Sequence, residues 1–187
     1  MPRKSTKVKV LTSRDTNILK QLSKTGLSNA QQAKKYCDLS KERLEKLEKS
    51  GYIKNTVHIV RGQNTLIIQL DNAGREWCRQ EIGTKSFCVA QTNHLDHDLK
   101  LTEVYYNLPS SVQPTWRHEG ELIQDIYERN PSLMDNGGLK TCVDATVQIN
   151  NEIIAIESIG NSYTNVIIEL KQEIATQYLG CSRMECI

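Results

Sequence analysis

Three short helical patterns followed by a β-hairpin signal constrain the first half of the chain more than any other feature. From Ser13 the apolar residues recur at helical spacing as far as Gly26. Ser28 and Ser40 are expected to cap the next two helices, and Gly51 follows the third in a position that favours a left-handed backbone. The breaks between these helices are short, so the second and third helices are expected to cross.

Two β-rich segments, YIKNTVHIV and TLIIQL, follow these helices. Arg61, Gly62, Gln63 and Asn64 separate them and predict a hairpin turn, and Asp71 is expected to cap a fourth helix. Three helices, a hairpin and a further helix are the order of a winged helix-turn-helix domain. We therefore predict such a domain over residues 11–86, preceded by a mobile basic arm over residues 1–10.

The second half predicts a separate mixed α/β domain over residues 94–187, after a polar connector at 83–93. HLDHDLKLTEVYYNL has helical spacing, TWRHEGEL alternates like a strand, and residues 123–138 are expected to form a loop or short helix plus a turn. TCVDATVQI and EIIAIESI predict two strands about a turn at Asn150-Asn151, and Thr164–Leu179 predicts a last helix. The predicted order is α-β-β-β-α, and the class of the whole chain is α+β.

Charge divides the chain in the same way. Residues 1–86 carry 18 Lys and Arg against 8 Asp and Glu, whereas residues 87–187 carry 6 against 14. A basic half suits a polyanion such as DNA, because its cations replace the counterions of the phosphates. The acidic half would repel DNA, so the two halves are expected to have different partners.

Cysteine usage and hydropathy bear on the compartment. The six cysteines are scattered with no CxxC pair, which predicts reduced thiols and no zinc site. No apolar segment is long enough to span a membrane, and the basic start lacks the apolar stretch of a signal peptide. We therefore expect a cytoplasmic location.

Candidate DNA contacts lie on the third helix, the hairpin tip and the arm. With Leu44 and Leu47 inward, the third helix turns charged side chains outward, and its start is where reading helices touch base edges. The competing interpretation is that Glu42–Lys46 and Glu45–Lys49 are ordinary surface pairs four residues apart. The candidate contacts are Ser40, Lys41, Glu42, Arg43, Lys46, Lys49, Arg61, Gln63, Asn64, Arg3 and Lys4.

Two acids in VDATVQINNEIIAIESIG suggest a nuclease site. Asp144 opens one predicted strand and Glu157 closes the next, as in PD-(D/E)xK nucleases, where carboxylates hold Mg²⁺ against the scissile phosphate. Glu119 and Glu103 are candidates for a third acid. The lysine expected two residues after Glu157 is replaced by Ile159.

The missing lysine leaves alternatives open. Lys171 on the last helix is a candidate replacement, although only its approximate place on that helix supports it. The competing interpretation is that both acids form capping or interface hydrogen bonds. In HLDHD, His94 and Asp98 share a helix face, whereas His97 points away from Asp98, so we predict no metal there. No cofactor is expected, and Mg²⁺ is required only if the second domain is a nuclease.

Beyond these local patterns, the chain resembles the replication-relaxation family of plasmids and other mobile elements. The resemblance covers nearly the whole chain and rests on LTSRDTNILKQL, ERLEKLEKSGYI, IIQLDNAGREW, NHLDHDLKLTEVYYNL, WRHEGEL, VDATVQI and IAIESIGNSYTNVIIELKQEIA. It implies a winged helix joined to a domain resembling the PD-(D/E)xK fold without a complete active site. Asp144 and Glu157 match the family's acids, while Val143 and Ile159 depart from its Pro-Asp and Glu-x-Asp pattern.

These observations lead us to expect a sequence-specific double-stranded DNA-binding protein of a plasmid, phage or integrative element. Its role would be transcriptional regulation, replication or mobilisation. We expect a homodimer reading an inverted repeat with half-sites about 34 Å apart, whose second domain binds a second copy, a relaxase or a replication protein. The alternatives are a metal-dependent site-specific endonuclease and an adaptor that uses its wing for protein contact.

Overall fold

The computed structural model describes residues 6–90, 93–135, 138–139, 141–160 and 163–187. Helices and two separate sheets make the chain a mixed α+β protein, which confirms the predicted class. The chain divides into two compact units, Met1–Glu103 and Val104–Ile187. Among the described residues, no helix has both the length and the apolar character needed to cross a membrane.

The first unit combines five helices with a three-stranded antiparallel sheet of order β1-β3-β2. Its elements are α1 (Ser13–Thr25), β1 (Ser28–Asn29), α2 (Ala30–Cys37), α3 (Lys41–Lys49), β2 (Ile53–Val60), β3 (Gln63–Leu70), α4 (Asn72–Ile82) and the first part of α5 (Leu95–Asn107). The helices and hairpin predicted between residues 13 and 82 are all present. The short strand β1 was not predicted.

Local capping sets where these helices begin. The Thr12 hydroxyl caps α1 and the Asp15 carboxylate bonds back to the Thr12 backbone, which forms a capping box. Asn29 caps α2 in the same way with Gln32, so the predicted cap at Ser28 is one residue too early. Ser40 caps α3 as predicted.

The first half of α5 packs into the first unit. Leu95 and Leu99 join Leu27 and Ile67 in one buried cluster. Thr102 adds a buried hydrogen bond of 2.8 Å to the carbonyl of Leu27. This helix therefore covers one face of the sheet, although the sequence-based division places all of it in the second domain.

Close packing of α4 explains one glycine. The Cα of Gly74 faces the backbone of Tyr52, and a Cβ at this position would lie 2.1 Å from the Tyr52 carbonyl oxygen. That distance is far inside van der Waals contact. Any other residue at position 74 would separate α4 from the chain that enters β2.

The second unit is a four-stranded sheet of order β4-β5-β6-β7 with helices between the strands. Its elements are the end of α5, β4 (Arg117–His118), α6 (Glu119–Arg129), α7 (Ser132–Asp135), β5 (Ala145–Ile149), β6 (Glu152–Glu157), α8 (Asn165–Gln177) and β7 (Arg183–Cys186). The β4–β5 and β5–β6 pairs are antiparallel, whereas β6 and β7 are parallel and joined through α8.

Two predictions for this unit were wrong. TWRHEGEL is not a long strand, because α6 begins at Glu119 and only Arg117–His118 is extended. The carboxylate of Glu121 accepts from the His118 N–H at 3.2 Å, and Leu122 and Ile126 bury one face of the helix. The parallel strand β7 was also missed. The Asn150-Asn151 turn and the last helix, capped by Thr164, agree with the prediction.

Candidate nucleic-acid interface and acid cluster

Helix α3 presents a mixed row of charges to solvent. Its exposed charged side chains are Lys41, Glu42, Glu45, Glu48 and Lys49. Three of these five are acidic, and Lys46 is half-buried. Helix α3 by itself therefore carries no excess of exposed positive charge.

Arg43 connects α3 to the start of α1. Its Nε and Nη2 donate to the two carboxylate oxygens of Asp15 at 2.9 and 2.5 Å, and Nη2 also donates to the Val10 carbonyl at 3.1 Å. Burial raises the pKa of Asp15, but hydrogen bonds from Arg43 and Thr12 outweigh it and hold that pKa below its ordinary value. The Arg43 guanidinium is thus committed to a contact within the protein.

The described part of the basic arm follows α3. The Val8 N–H donates to the hydroxyl of Ser50, just beyond the end of α3, at 2.8 Å. Together with the contact at Val10, this bond fixes the segment at two points, so it does not run free as predicted. Lys7 and Lys9 flank Val8 and therefore lie beside the C-terminal end of α3.

The start of β2 adds a further cation at this end of α3. The Asn55 N–H donates to the Glu48 carboxylate at 3.0 Å, which brings Lys54 close to the helix. We define the basic surface as Lys7, Lys9, Lys41, Lys46, Lys49 and Lys54. Its six lysines outnumber the three glutamates of α3. The predicted arm contacts Arg3 and Lys4 lie outside the described residues.

The hairpin tip is a two-residue turn in which Arg61 and Gly62 both have positive φ, at 49° and 77°. The Arg61 guanidinium pairs with Asp96 of α5, with contacts of 2.7 and 3.0 Å. Gln63 and Asn64 are exposed at the start of β3. The predicted tip residues are therefore solvent-facing, but the cation among them already has an acidic partner.

In the second unit, the strand register brings Asp144 and Glu157 together. Ala145 pairs with Ile156, so the residues just beyond them are neighbours at one end of the β5–β6 hairpin. The Asp144 N–H donates to Glu157 Oε2 at 3.2 Å, and the Ser158 N–H donates to Asp144 Oδ2 at 2.7 Å. The adjacency expected from the sequence spacing is present.

Lys171 supplies the amine that Ile159 does not. Its Nζ lies 2.5 Å from Glu157 Oε1, and the Tyr163 hydroxyl donates to the same oxygen at 2.6 Å. The Glu157 side chain is 0% exposed and that of Lys171 is 6% exposed. The helix α8 thus places a lysine against the second acid, 14 residues later in the chain. Nothing in the sequence pattern pointed to Tyr163.

We define the acid cluster as Asp144, Glu157, Tyr163 and Lys171. The pKa values of Glu157 and Lys171 are both shifted upward. Burial raises the pKa of Glu157, and the charge of Asp144 raises it further, despite Lys171 and Tyr163. Burial lowers the pKa of Lys171, but Glu157 and Asp144 outweigh it, and the net shift is upward. Two acids share one lysine. The charged form of Lys171 is therefore favoured, whereas the charged form of Glu157 is disfavoured.

The other predicted acids do not complete a metal site. Glu119 begins α6, where its backbone N–H bonds to the Asp144 carbonyl at 2.8 Å, so it is not the first-strand acid expected from the sequence. Glu103 belongs to the first unit, where Lys35 and Tyr36 bond to its carboxylate. Burial raises the pKa of Glu103, but these bonds outweigh it and hold that pKa below its ordinary value.

Most oxygens of the acid cluster already accept hydrogen bonds. Mg²⁺ binds through one or two carboxylates and several waters, and an ion here would have to share or displace the bonds made to both Glu157 oxygens and one Asp144 oxygen. Across the described ranges, no three His, Cys, Asp or Glu side chains form a group that could hold a metal ion. The expectation that His97 points away from Asp98 was wrong, because His97 Nδ1 lies 3.0 Å from a carboxylate oxygen of Asp98.

No family model matches the chain, and no curated protein or solved structure is found to be similar to it. The resemblance to the replication-relaxation family therefore stays a prediction.

Proposed function

We propose that the protein binds specific double-stranded DNA through its first unit, which we interpret as a winged helix-turn-helix domain. The element order supports this proposal: α1, a short strand, α2, α3 and then the β2–β3 hairpin, with β1 completing the sheet. In such domains the third helix enters the major groove and the hairpin lies beside it. We propose a homodimer acting in the transcription, replication or mobilisation of a plasmid, phage or integrative element.

The proposal of DNA binding depends on the basic surface. The arm, α3 and the start of β2 are joined by hydrogen bonds and together contribute six lysines, although α3 alone has no excess of positive charge. Each lysine that reaches a phosphate releases counterions and strengthens binding. The arm therefore supplies attraction that the helix lacks.

Base recognition would fall to the exposed residues at the start of α3. Lys41 is suited to guanine, and Glu42 can accept from a cytosine amino group. Gln63 and Asn64 at the hairpin tip are suited to adenine or to phosphate. Arg43 is left out of this set because Asp15 holds its guanidinium.

The test is selection of bound duplexes from a randomised DNA library, followed by titrations at several salt concentrations. We expect an enriched inverted repeat. Lys9→Ala and Lys49→Ala should each reduce the slope of log affinity against log salt by about one unit. Lys85→Ala, an exposed cation outside the basic surface, is the matched control. Absence of salt-sensitive binding would favour the adaptor alternative.

The second candidate function is site-specific DNA cleavage, favoured by one observation, the contact of Lys171 with Glu157. We propose that the second unit is a degenerate PD-(D/E)xK-like domain, because its acids meet at one end of an antiparallel hairpin and β6 continues through α8 into parallel β7. In the nuclease alternative Asp144 and Glu157 would hold Mg²⁺, which would stabilise charge on the scissile phosphate. The donor set argues against this role, and we favour DNA binding without cleavage.

Nicking of supercoiled plasmid carrying the selected site separates the two candidates. The proposal predicts intact plasmid with either Mg²⁺ or Mn²⁺. Metal-dependent nicking that is lost in both Asp144→Ala and Glu157→Ala, while DNA binding persists, would establish the nuclease.

A further inference from the structure

Strand β2 forms one edge of the first unit's sheet, since the strand order is β1-β3-β2. The turn has only two residues, so Val60 and Gln63 form a hydrogen-bonded pair at its base. Residues 54, 56, 58 and 60 then direct their backbone groups towards β3. The alternate residues direct theirs away from the sheet.

Part of this outer edge is covered and part is open. The outward N–H of Asn55 is bonded to Glu48 of α3 at 3.0 Å. Within the described ranges, the outward backbone groups of Val57 and Ile59 have no hydrogen-bond partner. The open edge therefore begins just after Asn55 and contains two N–H and two C=O groups.

The side chains at the open edge are apolar and exposed. Val57 is 65% exposed and Ile59 is 75% exposed, and both project from the same face of the hairpin. The opposite face is covered, because Val60 and Ile67 pack in the cluster containing Leu95. The hairpin therefore exposes two β-branched side chains on one face, while its other face is packed.

Natural edge strands usually avoid pairing through charged residues, proline or a bulge. Between Asn55 and Val60 the strand has no charged residue and no proline, and its register with β3 is continuous. An edge with free backbone groups and exposed Val57 and Ile59 is a template for another strand.

We propose that this edge pairs with the same edge of a second copy of the chain. An antiparallel pairing with its two-fold axis at His58 places Val57 opposite Ile59 of the second copy, and the reverse. Four backbone hydrogen bonds would form, and the four apolar side chains would share one face.

The edge is compatible with a second copy of itself as the occupant. In this register Arg61 faces Asn55 of the other copy, Lys54 faces Gly62, and His58 faces its own copy at the axis. No two Lys, Arg, Asp or Glu residues lie directly opposite each other, and the outward-facing groups match because both edges are identical. The same two-fold relation is required of a dimer that reads an inverted repeat.

This inference rests on the proposed homodimer and names the surface that forms it. A strand edge buries less than the roughly 800 Å² per partner of a standard interface. Self-association in about the micromolar range is therefore expected without DNA. The contact is within the DNA-binding unit, in contrast to the expectation that the second domain provides self-association.

Sedimentation equilibrium of the full chain without DNA tests the surface. The wild type should be a reversible dimer, and Val57→Lys/Ile59→Lys should weaken dimerisation by at least about tenfold, since lysines would face each other across the axis. Val166→Lys/Leu170→Lys, which alters another exposed apolar pair on α8, should leave the dimer intact.

Each outcome of the sedimentation experiment supports or overturns a specific part of the proposal. A dimer unaffected at β2, or one lost only in the α8 variant, overturns the strand-edge proposal while leaving the homodimer in place. A wild type that stays monomeric up to about hundreds of micromolar overturns the strand edge and the homodimer together. DNA binding is measured separately, so its failure is distinguishable from either outcome.

A disulfide provides an independent check of the register. The axis at residue 58 places two copies of that position about 4.5 Å apart between Cα atoms, within the range of a disulfide. In a Cys186→Ser background, which removes the exposed cysteine, His58→Cys should cross-link under mild oxidation. Thr56→Cys should not, since position 56 would face Val60. Equal cross-linking of both would exclude this register.

Discussion

Each unit contains a fully buried carboxylate held by a cation, and the two pairs behave in opposite ways. Asp15 in the first unit and Glu157 in the second are both 0% exposed. The pKa of Asp15 is lowered, whereas the pKa of Glu157 is raised. Lack of side-chain exposure alone therefore does not decide whether the charged form is favoured.

The difference lies in the surroundings. Asp15 receives two bonds from Arg43 and two from Thr12, with no acid among the groups that shift its pKa. Glu157 receives bonds from Lys171, Tyr163 and the Asp144 backbone, but the Asp144 carboxylate opposes its charge. Arg43 also keeps 26% of its side chain exposed, whereas Lys171 keeps 6%.

The two ion pairs have different roles in the protein. The Asp15 pair connects α1, α3 and the arm, and its charge is fully balanced by donors, as in a structural link. The acid cluster has one more acid than cation, with Glu157 buried and Asp144 half-buried, and neighbouring acids of this kind shift pKa values in functional sites. The contact of Lys171 with Glu157 holds β6 to α8.

Breaking the Glu157–Lys171 pair should have the largest effect on stability. Lys171→Met leaves Glu157 buried with its acid neighbour and no cation, so the free energy of unfolding of the second unit should fall by about 3–5 kcal/mol. Trp116 fluorescence in a Trp77→Phe background reports that unit in urea denaturation. The double variant Glu157→Gln/Lys171→Met should recover most of the loss. A Lys171→Met protein as stable as wild type would contradict the assignment.

Breaking the Asp15–Arg43 pair should reduce the free energy of unfolding by a smaller amount. Arg43→Met removes two of four bonds to Asp15, but Thr12 keeps its two and the arginine is partly exposed. We expect the first unit to lose about 1–3 kcal/mol, measured by urea denaturation through Trp77 in a Trp116→Phe background. The exposed pair of Lys34 with Asp38 is the control, and Lys34→Met should leave the stability close to that of the wild type, because water screens this contact. A loss equal to that of Lys171→Met would remove the contrast.

A single hydrogen bond in the acid cluster provides a smaller test. Tyr163→Phe removes the hydroxyl that donates to Glu157, at an expected cost of about 1–2 kcal/mol in the second unit. The pKa of Glu157 should rise further, which the pH dependence of unfolding detects. Tyr178→Phe, at the C-terminal cap of α8, is the control. A neutral Tyr163→Phe would show that Lys171 alone satisfies the carboxylate.

The pH dependence of stability should differ in sign between the two carboxylates. Because the Asp15 pKa is lowered, its contribution is complete above about pH 4 and is lost as pH falls through that lowered value. Because the Glu157 pKa is raised, the folded second unit binds the proton more tightly, and stability rises as pH falls towards about 4.3. Urea denaturation across this range should show the second trend in wild type and not in Glu157→Gln.

Local sequence patterns predicted the first unit well because its elements are set by neighbouring residues. Capping side chains such as Thr12 and Ser40 act within three residues, and the Arg61-Gly62 turn determines the register of the hairpin it joins. The α6 segment was mistaken for a strand because the alternation from Arg117 is too short to separate a period of two from a helical one. Its helix is decided by Glu121 at the cap and by burial of Leu122 and Ile126.

The adjacency of Asp144 and Glu157 could be predicted from the sequence, because a two-residue turn and alternating side chains allow only one register of the hairpin. The position of Lys171 and the parallel strand β7 could not be predicted, because both depend on how α8 packs on the sheet, far along the chain from β5. The charge pattern likewise marked the first half as basic. Only the folded arm, bonded at Val8 and Val10, decided which lysines gather beside α3, since local spacing says nothing about contacts between distant segments.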